Sequence, residues 1–524
     1  MKFAHARHLA RAVVLPLVIL MAACTQTPGA SNAPSVAASA TPSGPAGTLT
    51  IAMRGDIQST HPYLSYDIVG ISYRYNLFDA LVEWDYDGKI VPALAESWKV
   101  DGKNITFTMR KGVKFHNGDP VTAADVKFSI DTLKSKDLNS GQAGNFGAVD
   151  GATVVDDNTV IVNLNKIDAR ILDTFANNLA IIPMKYYQSV GQAGFIAKPI
   201  GTGPFKFVSW AKDDRLTMEA NTDYWSGSPK GKPLVKTLVF RAIPTASTRV
   251  SELKAGSVDM VQDLPTDQVD PLKSSGFNVV ESKSPVYNWA FFNTLNTAAS
   301  AKPLQDTRVR QAMNYAVDTA TIIKTVLGGH ARQLAGGVTD LTVGFSSDLK
   351  PFAFDQAKAK QLLADAGYPN GFSIDADVSN TAKQDVPQAI VAQLGQVGIK
   401  VNLNVMPTDV FNNKWVSHGF DQMYFVTWNT FTHPDLLNLL AGCKQFLSNF
   451  CNNDAQKFLD QGAGTLDAAT QATAYTGAEK VFATDPFGIY ISGDNSITAL
   501  SSKVQGWKPH GITPIVATNT TVSK

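Results

Sequence analysis

The chain has 524 residues, 44% of them hydrophobic, with 46 lysines and arginines against 45 aspartates and glutamates and a formal net charge of +1. That balance, with no long basic block in the body, argues against nucleic acid as a partner. A single core stops growing beyond roughly 250–300 residues, so two or more lobes are expected.

Lys2, Arg7 and Arg11 precede an apolar run, Ala12 to Ala23, that Pro16 interrupts and small residues close. A positive start, a short apolar stretch and small residues describe an export signal over residues 1–23. The run is too short to span a bilayer comfortably, which takes about 20 apolar residues. Met21-Ala22-Ala23-Cys24 resembles a bacterial lipobox, with methionine where leucine is usual. The resemblance implies cleavage before Cys24 and lipidation of its thiol; an ordinary secretory signal with an incidental cysteine is the alternative. Residues 24–47 lack large apolar side chains that would offset ordering entropy and read as a disordered tether.

In the body, Leu49, Ile51 and Met53 alternate as a strand, and Ile71, Tyr75, Phe78 and Val82 have helical spacing. Ile105, Phe107 and Met109 return to strand. Thr122 and Asp125 stand at capping-box spacing ahead of Val126, Ile130 and Leu133, which line one helix face. "DNTVIVNLN" is a further strand. The second half repeats the mixture. Val309, Met313 and Ala316 predict a helix, and another starts at an Asp355 cap and stops at Gly367. Ile399, Val401, Leu403 and Val405 predict a strand. Alternating strands and helices argue for an α/β protein.

Cys443 and Cys451 stand in "GCKQFLSNFC". In an exported chain they read as a local disulfide, since a zinc site would need further ligands nearby. Closing so short a loop stabilises by roughly 2–3 kcal/mol in the chain-entropy model. Six of the eight histidines lie in the body, without His-x-x-x-His pairs or cysteine and aspartate clusters, so no metal site and no cofactor are expected. His116, in "KFHNGDP", reads as a surface turn.

Residues 92–131, "PALAESWKVDGKNITFTMRKGVKFHNGDPVTAADVKFSID", resemble the signature region of the extracellular solute-binding proteins of family 5, which serve ABC importers for peptides, nickel and related solutes. "GTGPFKFVSW" (201–210), "NTDYWSG" (221–227), "FFNT" (291–294), "TRVRQAMNYAVD" (307–318), "AKAKQLLADAGYPNGF" (357–372) and "LGQVGIKV" (394–401) follow in the family's order. The Cys443–Cys451 region also resembles a local disulfide of several dipeptide-binding members. The resemblance implies a two-lobed α/β fold of the periplasmic-binding-protein kind, type II with an enlarged lobe I and a ligand cleft between the lobes. Lobe I would cover 48–290 and return at 490–524, with lobe II at 291–489. The protein would be a monomer with no catalytic activity. It would work in the periplasm or at the cell surface, held by lipid on Cys24, and would pass a small solute to a membrane permease by cleft closure.

The most informative departure is "VTWNTFTHPDLLNLL", 426–440. Peptide binders of the family carry an aspartate shortly after this tryptophan, and its carboxylate pairs with the peptide ammonium. A buried ammonium needs such a partner. Here Phe431 takes that position and the nearest acid is Asp435. Trp428 and Phe431 are the first expected ligand contacts, through stacking on a sugar ring, an opine-like conjugate or another planar solute; lobe II packing is the alternative. Asn429, Tyr287, Trp289, Asn293 and Trp415 are further candidates, as are Ser59 and Thr60 in "GDIQSTHPYLS". Lys383 is a weak substitute for a carboxylate-binding arginine. The rival functions are an exported hydrolase and a ligand-presenting receptor without transport. No Gly-x-Ser-x-Gly, His-Glu-x-x-His or Walker loop supports the first.

Overall fold

The computed structural model describes residues 44–65, 67–429, 435–511 and 514–523. Cys24 and Phe431 lie outside the described residues, as does the side chain of Asn429. Among the described residues no helix is long and apolar enough to cross a membrane.

The opening strand, Thr48–Met53, runs parallel to Thr237–Ala242 and to Met260–Val261. Leu49, Ile51 and Met53 are buried, as a period of two requires. The end of the expected tether is already pinned: the Ala46 amide donates to the Leu234 carbonyl at 2.9 Å, and the Gly47 carbonyl accepts from Thr237 at 3.1 Å. Residues 46 and 47 are thus paired with the folded body.

Helix Ile68–Leu77 is shorter than its spacing predicts, and Val82 lies in a strand, Val82–Trp84. The Leu77 carbonyl accepts from the Gly203 amide at 3.0 Å. A Cβ on Gly201 would lie 2.1 Å from that same carbonyl oxygen. The "GTGPF" segment thus takes the helix end that a further turn would need. His116 stands in the expected turn, half-buried, and its ring is part of the same packing. Its Nδ1 accepts from the Gly201 amide at 3.2 Å and its Nε2 lies 3.0 Å from the Gly203 carbonyl. Burial pushes its pKa down to about 4. Helix Ala123–Lys134 carries the expected capping box, with Asp125 accepting from the Thr122 amide at 2.9 Å, and Val126, Ile130 and Leu133 are buried.

An eleven-stranded sheet runs through the described residues. Two long antiparallel neighbours, Asn278–Phe292 and Gly488–Leu500, form its middle. Each serves two different cores. Leu49 to Met260 and Leu500 to Ala517 supply the first buried cluster, joined by a smaller one that holds Leu272, Ile497 and Ala499. Two central clusters draw only on residues between Tyr287 and Ile491. The stretches 281–286 and 492–496 belong to neither group. There the ladder also breaks: Lys283 faces Asn495, but the next pair is Val286 with Asp494. Ser284 and Pro285 form the bulge, and proline has no amide to offer the ladder. The expected lobe limits, 290/291 and 489/490, fall a few residues inside the central clusters.

The first cluster is tied by a buried cation. The Lys230 ammonium lies 3.0 Å from Asp79 and 2.9 Å from Glu83, and donates to the Phe78 carbonyl at 2.6 Å. Asp79 also accepts from Tyr224, Trp225 and Thr202 at 2.9–3.0 Å. Burial would raise the Asp79 carboxyl, but Lys230 and these donors hold it below its usual range, while burial, with Asp79 adding to it, pushes Glu83 up to about 6. Removing the cation leaves buried charge unpaired. Lys230→Met is expected to lower unfolding stability by about 3–5 kcal/mol, read as a lower urea midpoint at unchanged slope. A midpoint equal to the parent's would show that the cluster is not held by this cation.

Candidate functional site

The stretch of the two long strands around the break is lined with polar groups. Asn288 donates to Asp494 at 2.8 Å and to Ser492 at 3.0 Å, and accepts from Thr427 at 2.7 Å. Ser284 donates its hydroxyl to the Asp494 carbonyl at 2.8 Å. Arg332 reaches the Ser284 carbonyl at 3.2 Å and Asp340 at 3.1 Å, and Asp340 also pairs with Lys283. His330 meets Glu281 at 2.9 Å.

Just beyond this polar stretch stand the aromatic candidates, which the structure gathers into one group. Strand Met423–Asn429 pairs with Asn278–Phe292 so that Trp428 faces Tyr287 across the ladder. Tyr287 stacks on Trp289 with ring centres 5.0 Å apart, and Trp415 meets Trp428 edge-on at 5.8 Å. Tyr287, Trp289 and Trp415 are buried in the central cluster, whereas Trp428 is only half-buried. Tyr287 shares a hydrogen bond with Thr342, and Trp415 donates to the Leu447 carbonyl at 3.0 Å. The indole nitrogens of Trp289 and Trp428 are buried and have no acceptor among the described residues.

The other candidates lie elsewhere. Asn293 ends its strand, buried, donating to the Phe420 carbonyl at 2.7 Å and accepting from the Leu295 and Asn296 amides, so it shapes a turn. Thr60 is buried and donates to the Ile196 carbonyl, and Ser59 accepts from the His61 amide at 3.0 Å. Asp435 opens helix Asp435–Ala441. It lies 3.3 Å from Arg170 and accepts weakly from Tyr475 and Asn438 at 3.4 Å. Cys443 and Cys451 are bonded. Lys383 is exposed.

Sequence reasoning missed Arg170 and Glu479, since a lone charge in a loop or on a helix carries no motif. Glu479 is buried under the Gly336-Gly337 turn, where it accepts from the Gly337 amide at 2.9 Å. A Cβ on Gly336 would sit 2.2 Å from its carboxylate, so a larger residue there would displace Glu479. This turn leads into Asp340 and Thr342, the partners of Arg332 and Tyr287.

A model described as "Bacterial extracellular solute-binding proteins, family 5 Middle" matches residues 89–446. The chain belongs to that family. Among curated relatives, the glutathione-binding protein GsiB of Pectobacterium atrosepticum is 28% identical over 477 residues, 87% of this chain and 90% of its own. Among solved structures, the ABC transporter-associated periplasmic binding protein DppA of Helicobacter pylori, in complex with the peptide STSA, is 26% identical with a TM-score of 0.73. That alignment covers 91% of this chain and 98% of DppA. AgaA of A. tumefaciens R10, in complex with agropinic acid, is 26% identical with a TM-score of 0.71 over 91% of this chain and 99% of its own. These relatives are two-lobed binding proteins. The chain has that two-lobed α/β fold and acts in ABC transport as a solute-binding protein.

Glu479 generates a prediction. Burial pushes its carboxyl up to about 8. The unfolded chain ionises this group near pH 4.5 and the folded chain does not, so its contribution to stability falls as pH rises from about 4.5 to about 8 and then levels. Glu479→Gln removes that segment of the pH dependence. Urea midpoints of parent and variant, taken from pH 5 to 9, are expected to diverge in the variant's favour up to pH 8. Parallel curves would show that the carboxyl ionises in place.

Proposed function

We propose that the protein captures a small solute bearing a planar or ring group, of peptide-like, opine or sugar-conjugate type, and delivers it to a membrane permease by closing its two lobes. The lobes pivot where the ladder is broken, at 284–285 and 492–494. The observation that carries this reading is the separation of the apolar clusters at one polar waist, because lobes with independent cores can rotate without opening either core. A ligand that touches both lobes then favours the closed arrangement.

Trp428 is the first contact. It is the half-buried member of the aromatic group, it stands at the waist end of its strand, and its indole N–H lacks an acceptor among the described residues. Phe431, three residues on, stands where peptide binders place a carboxylate, and Asn429 lies between them. GsiB binds glutathione by name, and the DppA and AgaA structures hold a peptide and an opine acid. The aromatic pair favours the side of that range in which no free ammonium must be neutralised. Asp435 is already engaged by Arg170.

The protein is held at the membrane by lipid on Cys24 and acts as a monomer. Cys24→Ser is expected to release it into the soluble fraction, scored by fractionation and intact mass; persistent membrane association without lipid on the parent chain would overturn the anchor.

The test of the solute class is native purification, denaturation and mass spectrometry of whatever small molecule is released. A ring-bearing non-peptide solute is expected, and Trp428→Ala should weaken its binding by about 1–3 kcal/mol. An ordinary peptide with a free amino terminus would overturn the assignment of Phe431.

A further inference from the structure

The strand that ends at Leu164 and the helix Ile171–Asn178 are joined by a short loop carrying Asp168 and Arg170, on the N-terminal lobe. The Arg170 guanidinium is held by its own neighbour: Nε and Nη2 donate to the two oxygens of Asp168, each at 3.1 Å. The same Nε lies 3.3 Å from Asp435 Oδ2, at the start of helix Asp435–Ala441 in the central lobe. Two more contacts cross at this corner. Gln471 donates to the Ala169 carbonyl at 3.3 Å, and Leu466 packs against the N-terminal cluster. Beside them lies a cavity of about 250 Å³, with Lys166, Arg170, Asn438 and Gln445 in its walls.

The two carboxylates differ in what they do. Asp168 is in the same loop as Arg170, so that pair survives any movement of the lobes. It fixes the planar guanidinium in one orientation, which lowers the entropy lost when a second carboxylate arrives. Asp435 sits on the other lobe, so its pair with Arg170 exists only when the lobes meet. Burial weakens the Arg170 charge, but Asp168 and Asp435 outweigh it and hold the guanidinium pKa above its ordinary value.

We propose that Arg170 and Asp435 form a latch that holds the two lobes together; Asp435 is then a positioning residue for closure, not a solute contact. This inference rests on the reading of closure about the waist given above.

Hydrogen exchange of the full-length chain tests it at segments 166–171 and 435–441. Asp435→Asn and Arg170→Ala are each expected to speed exchange there by about two- to fivefold. The joint variant should exceed neither single one, because all remove one interaction. In the parent, raising salt from low to molar concentration should mimic the variants, while urea midpoints stay put, as a merely structural pair would not allow. A third protein, Arg170→Cys with Asp435→Cys joined by a short bismaleimide, sets the closed limit. If Asp435→Asn matches the parent while the joined protein exchanges more slowly, the lobes part but this pair does not hold them, and the latch is wrong. If all three exchange alike, the lobes do not part at this corner and the closure reading fails with it.

Discussion

The ladder between the two long strands breaks at Ser284 and Pro285 and shifts register again between Asn288 and Trp289, and the rest of the molecule is arranged around that stretch. Beyond it on either side, the strands' inward residues belong to different apolar clusters. An unbroken ladder would join the two lobes into one stiff sheet. Here the backbone offers no amide at Pro285, and the groups that remain are bound by side chains: Ser284 by Asp494, Arg332 by the Ser284 carbonyl. Such bonds contribute only about 0.5–1.5 kcal/mol each, because water replaces them at little net cost. Apolar contacts have no such substitute. The distribution of side chains therefore concentrates compliance at the waist and keeps both cores out of the motion.

The charges follow the same division. Lys230 with Asp79 and Glu83 is fully enclosed and carries donors on every side, so it fixes one arrangement of the N-terminal lobe. The charged groups near the waist and the lobe contact are partly exposed: Lys283 with Asp340, His330 with Glu281, Arg170 with Asp435. Exposed pairs are cheap to separate and responsive to salt. The protein has buried the ions that must not exchange partners and left in reach of water those whose partners lie near a moving boundary. Glu479 bridges the two regimes. It is enclosed and neutral at pH 7, and it supports the turn that presents Asp340 and Thr342 to the waist.

Much of the fold was legible because it rests on local rules. Alternation in Thr48–Met53 and Ile399–Met406, the Thr122–Asp125 capping box and the Asp355 cap need only neighbours along the chain. The errors came from distant partners. Helix Ile68–Leu77 stops because Gly201 and Gly203 press on its last carbonyl, more than a hundred residues later. His116 sits in the turn its neighbours describe, but the Gly203 carbonyl its ring meets is 87 residues away and leaves no local sign. The passage from one core to the other is not legible either, since a strand that serves two cores shows one uninterrupted pattern. At the site, tryptophan and tyrosine were recognisable as types, but composition cannot say which is core. Tyr287 and Trp289 are enclosed and stacked, while Trp428 on the adjoining strand is not fully covered.

That difference bears on what the cleft selects. A buried indole N–H without an acceptor costs about 1–3 kcal/mol relative to one that is satisfied. Among the described residues Trp428 carries such a donor beside the polar waist, while neighbouring rings have their polar atoms satisfied: Tyr287 by Thr342, Trp415 by the Leu447 carbonyl. A solute that brings an acceptor to this donor recovers the deficit and covers the ring face in one step. On the solute class proposed above, an ammonium would find at 435 a carboxylate already bound to Arg170 and Tyr475. Desolvating that cation without a free partner costs more than stacking returns. On that reading selectivity follows from placement, because the first acid after Trp428 is already engaged by Arg170.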